Sequence, residues 1–175
     1  MTEPARIRNC YELCRSTLRN AAFYKGAASL GAQAKPTSQF AIAASNNFLD
    51  MAFLEWCKVF ADIKGKHHWK KILPVNTDFM QNLLTKLVIS NEEFEVFAHY
   101  VMNYRNKVIA HADVYTEIDI PTLDLLINST IYLYQRLRDD CGSEPQPAAP
   151  HDLCAAFQFS VDEGRQQFVA MATAG

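Results

Sequence analysis

An arginine, an asparagine and a histidine lie within seven residues of one another in YRNKVIAHAD, residues 104–113. A histidine titrates near neutral pH and can accept a proton from a ribose 2′-hydroxyl. An arginine binds phosphate oxygens, and an asparagine can orient either group. Arg105, Asn106 and His111 could therefore cleave RNA without a metal ion. His111 would act as the general base, and Arg105 would stabilise the phosphorane, leaving a 2′,3′-cyclic phosphate and a 5′-hydroxyl.

The spacing of these residues also allows a structural interpretation. On a helix, six residues separate Arg105 and His111 by about 120° around the axis and about 9 Å along it. Arg105 could instead pair with an acid such as Asp113 or Glu117, and His111 could stabilise a helix C-terminus. Because one helix supplies a single histidine, catalysis would need a second group, and a two-fold dimer would provide it.

The densest basic and aromatic cluster of the chain is KGKHHWKKIL, residues 64–73. Lysines neutralise phosphates and tryptophan stacks on bases, so this segment is a candidate for binding single-stranded RNA. The candidate RNA-binding residues are Lys66, His68, Trp69, Lys70 and Lys71. The alternative is that Trp69 only anchors the segment to the core.

Helical periodicity dominates the rest of the chain and predicts an all-α fold. The expected helices cover residues 3–26, 38–63, 76–88, 91 to the RNKVIAH stretch, and 122–142. Gly26 is expected to end the first helix, and Thr37 or Ser38 to cap the second. In the second helix, the predicted inward stripe is Phe40, Ala44, Phe48, Met51, Leu54 and Phe60.

One helix start is marked by SNEE, in which Ser90 and Glu93 have the spacing of a capping box. Continuous periodicity from Asn91 then places Arg105 and Asn106 in the last turns of a long helix. We expect VYTEIDI, residues 114–120, to be a loop rather than a strand, because Pro121 follows it and no partner strand is predicted.

The chain divides into a helical domain over residues 1–142, a proline-rich linker over 143–150 and a C-terminal tail over 151–175, expected to be helical. The tail would be added to a bundle of about five main antiparallel helices. With 175 residues, the chain is long enough to bury one good core and too short to require two.

Composition narrows the classes of function. The net charge of −2 is unevenly spread, because residues 1–74 carry 11 basic and 5 acidic side chains and the remainder 6 and 14. The first part is therefore the better candidate for facing an anion.

The five scattered cysteines favour reduced thiols, and no metal site or cofactor is predicted. No segment is long and apolar enough to span a membrane, so we expect a cytoplasmic protein without a membrane partner.

Several segments together resemble the HEPN superfamily. RNKVIAH matches its signature of an arginine, a polar residue, four to six further residues and then a histidine. FLEWCKVF, HHWKKIL and YRNKVIAHAD, in this order, are similar to the branch associated with phage abortive infection. The resemblance covers residues 35–140 approximately, and it implies a HEPN-like helical bundle.

The resemblance also implies a homodimeric ribonuclease in which Arg105, Asn106 and His111 line a shared cleft. Its expected role is phage defence or the toxin of a toxin–antitoxin pair, with RNA as substrate and an antitoxin protein as a possible partner. Many active members have an acid one turn before the arginine, where this chain has Val101. Members paired with a nucleotidyltransferase have a tyrosine where this chain has Asp113. Two alternatives stay open: a non-catalytic helical module that binds RNA or a protein, and an assembly scaffold.

Overall fold

The helix boundaries in a computed structural model follow the periodicity of the sequence closely. The structure describes residues 3–31, 38–73, 78–106, 120–141 and 152–173. Within these ranges the chain is helical and has no strand, which confirms the all-α prediction. The helices are α1 (Glu3–Ala28), α2 (Gln39–Phe60), α3 (Phe79–Leu87), α4 (Asn91–Tyr104), α5 (Leu123–Cys141) and α6 (Leu153–Thr173), with a short 3₁₀ helix at Trp69–Lys71. The loop was predicted for residues 114–120, of which 114–119 lie outside the described residues, and so does the linker predicted at 143–150.

Side-chain caps start three of these helices. Ser38 accepts a hydrogen bond from the backbone N–H of Ala41 at 3.2 Å, which starts α2. The predicted capping box of α4 is confirmed: Ser90 Oγ accepts from Glu93 N at 3.1 Å, and Glu93 Oε2 accepts from Ser90 N at 2.6 Å. Asp152 caps α6 by accepting from the backbone of residues 154 and 155.

The centre of the molecule is built around Trp56 on α2, whose side chain is fully buried. Its ring stacks on Phe60 at 5.1 Å and contacts Phe97 of α4 edge-on at 5.2 Å. Its indole N–H donates to Ser129 Oγ of α5 at 2.9 Å, so the one polar atom of the ring is also paired. Trp56 therefore holds three helices together.

Contacts between side chains show whether neighbouring helices are parallel or antiparallel. α1 packs against α2, α5 and α6. It is antiparallel to α5, because Tyr11 meets Tyr134 near one end and Lys25 pairs with Asp124 near the other. α2 and α4 are likewise antiparallel.

The C-terminal helix α6 runs parallel to α1, unlike these antiparallel pairs. Leu18 of α1 and Leu153 of α6 line one cavity between the two helices, and further along them Gly26 meets residues 161–165. A Cβ added to Gly26 would lie 2.5 Å from the carbonyl oxygen of Val161. The prediction that Gly26 ends α1 is therefore wrong. The helix continues to Ala28, and Gly26 instead lets α6 approach closely.

The predicted inward stripe of α2 is also partly wrong. Phe40 and Met51 are 72% and 39% exposed, whereas Leu49, Ala52 and Phe53 are buried. Fifteen of the 22 residues of this helix are apolar, so more than one stripe fits a period of 3.6. Packing against α1, α4 and α5 decides which faces are buried. No helix within the described ranges is long and apolar enough to cross a membrane.

Candidate functional site

Arg105 and Asn106 lie together at the end of α4, where the backbone widens into a π-helical turn. Asn106 Oδ1 accepts two hydrogen bonds from Arg105, from Nε at 3.0 Å and from Nη2 at 2.7 Å. Both residues are half-buried. Turns of this kind often occur at functional sites, and here the two bonds fix the direction of the guanidinium. His111, the third predicted catalytic residue, lies outside the described residues.

The positive charge of Arg105 reaches the neighbouring helix α2. Burial raises the pKa of the Cys57 thiol to about 12, and the nearby Arg105 guanidinium acts in the opposite direction. None of the ion pairs between described residues includes Arg105. Within this part of the chain, the guanidinium is therefore oriented by an amide and not neutralised by a carboxylate.

A buried tyrosine and a carboxylate lie directly beside this pair. Tyr104 OH donates to Asp50 Oδ1 of α2 at 2.8 Å, and the Tyr104 ring contacts Phe53 at 5.0 Å between centroids. Burial raises the pKa of Asp50, and the bond from Tyr104 partly offsets this. No functional role was predicted from the sequence for Tyr104 or for Asp50. The available signal was that a buried tyrosine hydroxyl needs a partner.

His68 lies inside the protein, although it was predicted to contact RNA. Its side chain is 2% exposed. Nδ1 accepts from the backbone N–H of Lys70 at 3.3 Å, so Nε2 carries the proton and donates to the Phe60 carbonyl at 3.0 Å. Burial lowers the pKa of His68, which keeps the ring neutral. Both ring nitrogens are bonded to backbone, so His68 supports the segment from within and has no nitrogen left to offer RNA.

The other candidates in this segment lie at or near the surface. Lys66, Lys70 and Lys71 are exposed, and Trp69 is partly exposed. Trp69 packs on Phe79 at 4.6 Å, and Lys70 Nζ lies 5.4 Å from the centre of the Trp69 ring. Trp69 thus anchors the segment and still presents part of its ring. The anchoring role is therefore present, and the part of the ring that stays exposed is the part that could stack on a base.

A cleft of about 290 Å³ joins this basic segment to α4. Trp69 and Lys70 lie on one side, and His99 and Met102 of α4 lie on the other. Met102 is one helical turn before Arg105. The structure therefore brings Trp69 and Lys70 to the face of α4 that leads to the Arg105–Asn106 pair, whereas Lys66 lines a different cleft. His99 is exposed, and no role in this cleft was predicted for it.

Among the described residues, no group of three His, Cys, Asp or Glu side chains could hold a metal ion. All five cysteines are free, and Cys10, Cys14 and Cys57 are buried. Comparisons with protein-family models, with curated proteins and with solved structures give no significant match to this chain.

Proposed function

We propose that the chain is a metal-independent endoribonuclease of the HEPN type that acts as a homodimer. The observation that carries the proposal is the Arg105 guanidinium, which Asn106 holds through two hydrogen bonds at the end of α4. A fixed guanidinium without a carboxylate partner among the described residues is suited to a phosphate group. The RNKVIAH stretch supplies His111 five residues after Asn106.

In the proposed reaction, His111 removes the proton from a ribose 2′-hydroxyl. The 2′-oxygen then forms a bond to the adjacent phosphorus, and the bond from phosphorus to the 5′-oxygen breaks. The 5′-oxygen takes up a proton as it leaves, giving a 2′,3′-cyclic phosphate and a 5′-hydroxyl. Arg105 stabilises the negative charge of the phosphorane, and the second copy in the dimer supplies the group that protonates the leaving oxygen.

The cleft beside α4 supports RNA as the substrate. Trp69 offers a partly exposed ring for stacking on a base, and Lys70 offers a charge for the backbone phosphate. Lys71 is exposed on the same 3₁₀ helix. A single strand in this cleft would run along α4 towards Arg105. The proposed setting is a cytoplasmic defence against phage or a toxin–antitoxin pair with a protein antitoxin.

The second candidate function is a non-catalytic module that binds RNA through the same cleft. The observation that favours it is Val101, a fully buried residue one turn before Arg105. Many active HEPN proteins have an acid at this position. Under this alternative, the wild-type protein binds RNA and does not cut it.

The test is the rate at which the purified protein cuts total RNA in EDTA. Acid–base catalysis contributes about 10²–10⁴-fold to a rate, so His111→Ala is expected to lower the rate by that factor. Arg105→Ala is expected to abolish cutting. Arg105→Lys keeps the charge but loses the planar fork, so it should retain only a small fraction of the activity.

Arg8→Ala is the matched control, since Arg8 is an exposed arginine on α1. It should leave the rate unchanged. Circular dichroism and light scattering establish that each variant folds and has the mass of the wild type. Binding without cutting by the wild type would favour the non-catalytic alternative. Loss of the fold in both the Arg105 and His111 variants would assign these residues a structural role.

A further inference from the structure

A second and larger cleft, of about 700 Å³, lies away from Arg105, between α1 and the C-terminal part of α2. The segment after α2, including Gly65 and His67, closes one side of it. On α2 the lining residues Glu55 and Lys58 project from a different side of the helix than Phe53 and Cys57, which face α4 and Arg105. A volume of this size suits a small-molecule ligand.

Each acidic residue of the cleft has at least one hydrogen-bond partner. Glu12 Oε1 pairs with Arg15 Nη1 at 3.0 Å, and Asp62 Oδ1 accepts from the backbone N–H of Gly65 at 3.0 Å. Glu55 is 8% exposed, and its Oε2 accepts from Asn20 Nδ2 at 3.2 Å. Burial raises the pKa of Glu55, while hydrogen bonds from Ser16 and Asn20 lower it.

Three basic side chains line the same cleft, and two of them, Lys58 and Arg19, lie close enough to Glu55 to lower its pKa. Arg19, Lys58 and Lys66 line it, and none of the three takes part in an ion pair between described residues. His67 Nδ1 is buried and has no hydrogen-bond partner in this part of the chain. Lys66 and Lys58 also lower the pKa of His67, after burial, so these three groups are close together. Arg19, Lys58 and Lys66 therefore place three positive charges around Glu55 and His67 in the cleft.

The remaining lining indicates what kind of anion fits. Among the described residues that line the cleft, the imidazole of His67 is the only ring, so this lining offers no large aromatic platform for stacking a nucleobase. A carboxylate has about four acceptor positions, and Ser16 and Asn20 use only part of this capacity on Glu55. Glu55 can therefore accept further hydrogen bonds from ligand hydroxyl groups.

We propose that this cleft binds a small phosphorylated polyol. Its phosphate lies among Arg19, Lys58 and Lys66, and its hydroxyl groups donate to Glu55. Binding here is independent of RNA cleavage at Arg105, because the two places are formed by different faces of α2. Neither Arg105 nor the cleft beside α4 takes part.

Calorimetric titration of the full chain with ribose 5-phosphate tests the proposal, with ribose and inorganic phosphate as comparison ligands. Charge-assisted hydrogen bonds contribute about 1.5–3 kcal/mol each, so losing one weakens binding about tenfold or more. We expect ribose 5-phosphate to bind at least about tenfold more tightly than either comparison ligand. The Lys58→Ala/Lys66→Ala variant should lose about tenfold or more in affinity.

The matched control is Arg8→Ala/Lys86→Ala, which removes two exposed positive charges outside the cleft. It should bind ribose 5-phosphate as the wild type does, and so should Arg105→Ala. The proposal is overturned if the wild type does not bind ribose 5-phosphate or if the control loses as much affinity as the lysine variant. Equal affinity for inorganic phosphate would overturn the role of the polyol, and equal affinity for ribose would overturn that of the phosphate.

Discussion

The Tyr104–Asp50 hydrogen bond is the polar contact that ties the end of α4 to α2 beside Arg105. It joins a buried phenol to a half-buried carboxylate over 2.8 Å. Because burial raises the pKa of Asp50, ionising this carboxylate costs folding free energy, and the donor from Tyr104 reduces that cost. The bond therefore matters most when Asp50 is ionised.

Replacing Tyr104 with phenylalanine keeps the ring and removes this donor. The pKa of Asp50 then rises further, so stability is lost as the pH increases through that pKa. We expect Tyr104→Phe to lower the free energy of unfolding by about 1 kcal/mol at pH 7 and by less at pH 4. Urea denaturation at the two pH values measures the difference.

The control for Tyr104→Phe is the same substitution in an Asp50→Asn background. There the carboxylate is absent, and the pH dependence of the loss should disappear. An equal loss at pH 4 and pH 7 in the wild-type background would mean that packing, not the donor, accounts for the effect.

At the scale of single residues, the sequence predicted some neighbours of the site and missed others. Arg105 and Asn106 are adjacent in the chain, so local geometry sufficed to place them together. Asp50 is 54 residues from Tyr104, and only the packing of α2 against α4 brings them into contact. His68 was a candidate RNA-binding residue because it belongs to a basic and aromatic segment, but its hydrogen bonds to backbone account for its burial.

At the scale of an element, the end of α3 contains a residue in an unfavourable backbone conformation. Val88 has φ +57° and ψ +44°, and its side chain is 89% exposed. A β-branched residue in the left-handed region costs about 1–2 kcal/mol, whereas glycine adopts this region freely. The exposed side chain provides little packing to offset that cost.

Val88→Gly is therefore expected to raise the free energy of unfolding by about 1 kcal/mol. Val96 provides a matched control, since it is an exposed valine inside α4. Val96→Gly should destabilise by several tenths of a kcal/mol because glycine is a poorer helix former. Thermal denaturation of both variants measures the two effects. A loss of stability in Val88→Gly would contradict the backbone argument.

The crossing of α1 and α6 depends on two glycines that face each other. A Cβ on Gly26 would lie 2.5 Å from Val161 O, and one on Gly164 would lie 3.0 Å from Phe23 Cα. Both contacts involve backbone, which cannot move aside as a flexible side chain can. We expect Gly26→Ala to destabilise the chain by about 1–3 kcal/mol, as overpacking typically does.

Whether Gly26→Ala raises or lowers the free energy of unfolding shows whether α6 packs closely against this position. In a helix without such a contact, the same substitution stabilises by about 0.5–1 kcal/mol. Urea denaturation distinguishes the two cases. A gain in stability would mean that α6 does not approach α1 as closely as these distances indicate.

The positions of the helices along the chain were largely predictable from the sequence. Which face of each helix is buried was not. Local rules located the capping box at Ser90 and narrowed the cap of α2 to Thr37 or Ser38, since each depends on residues within one turn. The buried faces of α2 depend on three other helices, and its apolar sequence allowed several stripes. The role of Gly26 depends on α6, which lies more than 100 residues later in the chain.

At the scale of the whole molecule, the two clefts lie on different sides of α2. RNA cleavage is proposed for one side, and binding of a phosphorylated polyol for the other. The cleft beside α4 has an aromatic ring and leads to Arg105, whereas the cleft beside α1 is lined by Arg19, Lys58 and Lys66. The all-α class followed from periodicity alone. Neither cleft could be predicted, because each is formed by segments that are distant in sequence.

The ribonuclease proposal requires a dimer, because a single chain provides only one copy of the RNKVIAH stretch. Light scattering at working concentration should therefore give twice the 19.8 kDa mass of one chain. A monomeric mass in a preparation that cuts RNA would contradict the shared cleft.

The most direct test of the ribonuclease proposal is the chemical identity of the RNA ends after incubation with the protein in EDTA. Mass spectrometry of the fragments should detect 2′,3′-cyclic phosphate and 5′-hydroxyl ends with the wild type. Arg105→Ala should produce no such fragments. RNA that stays intact, fragments with 5′-phosphate ends, or equal cutting by Arg105→Ala would contradict the account.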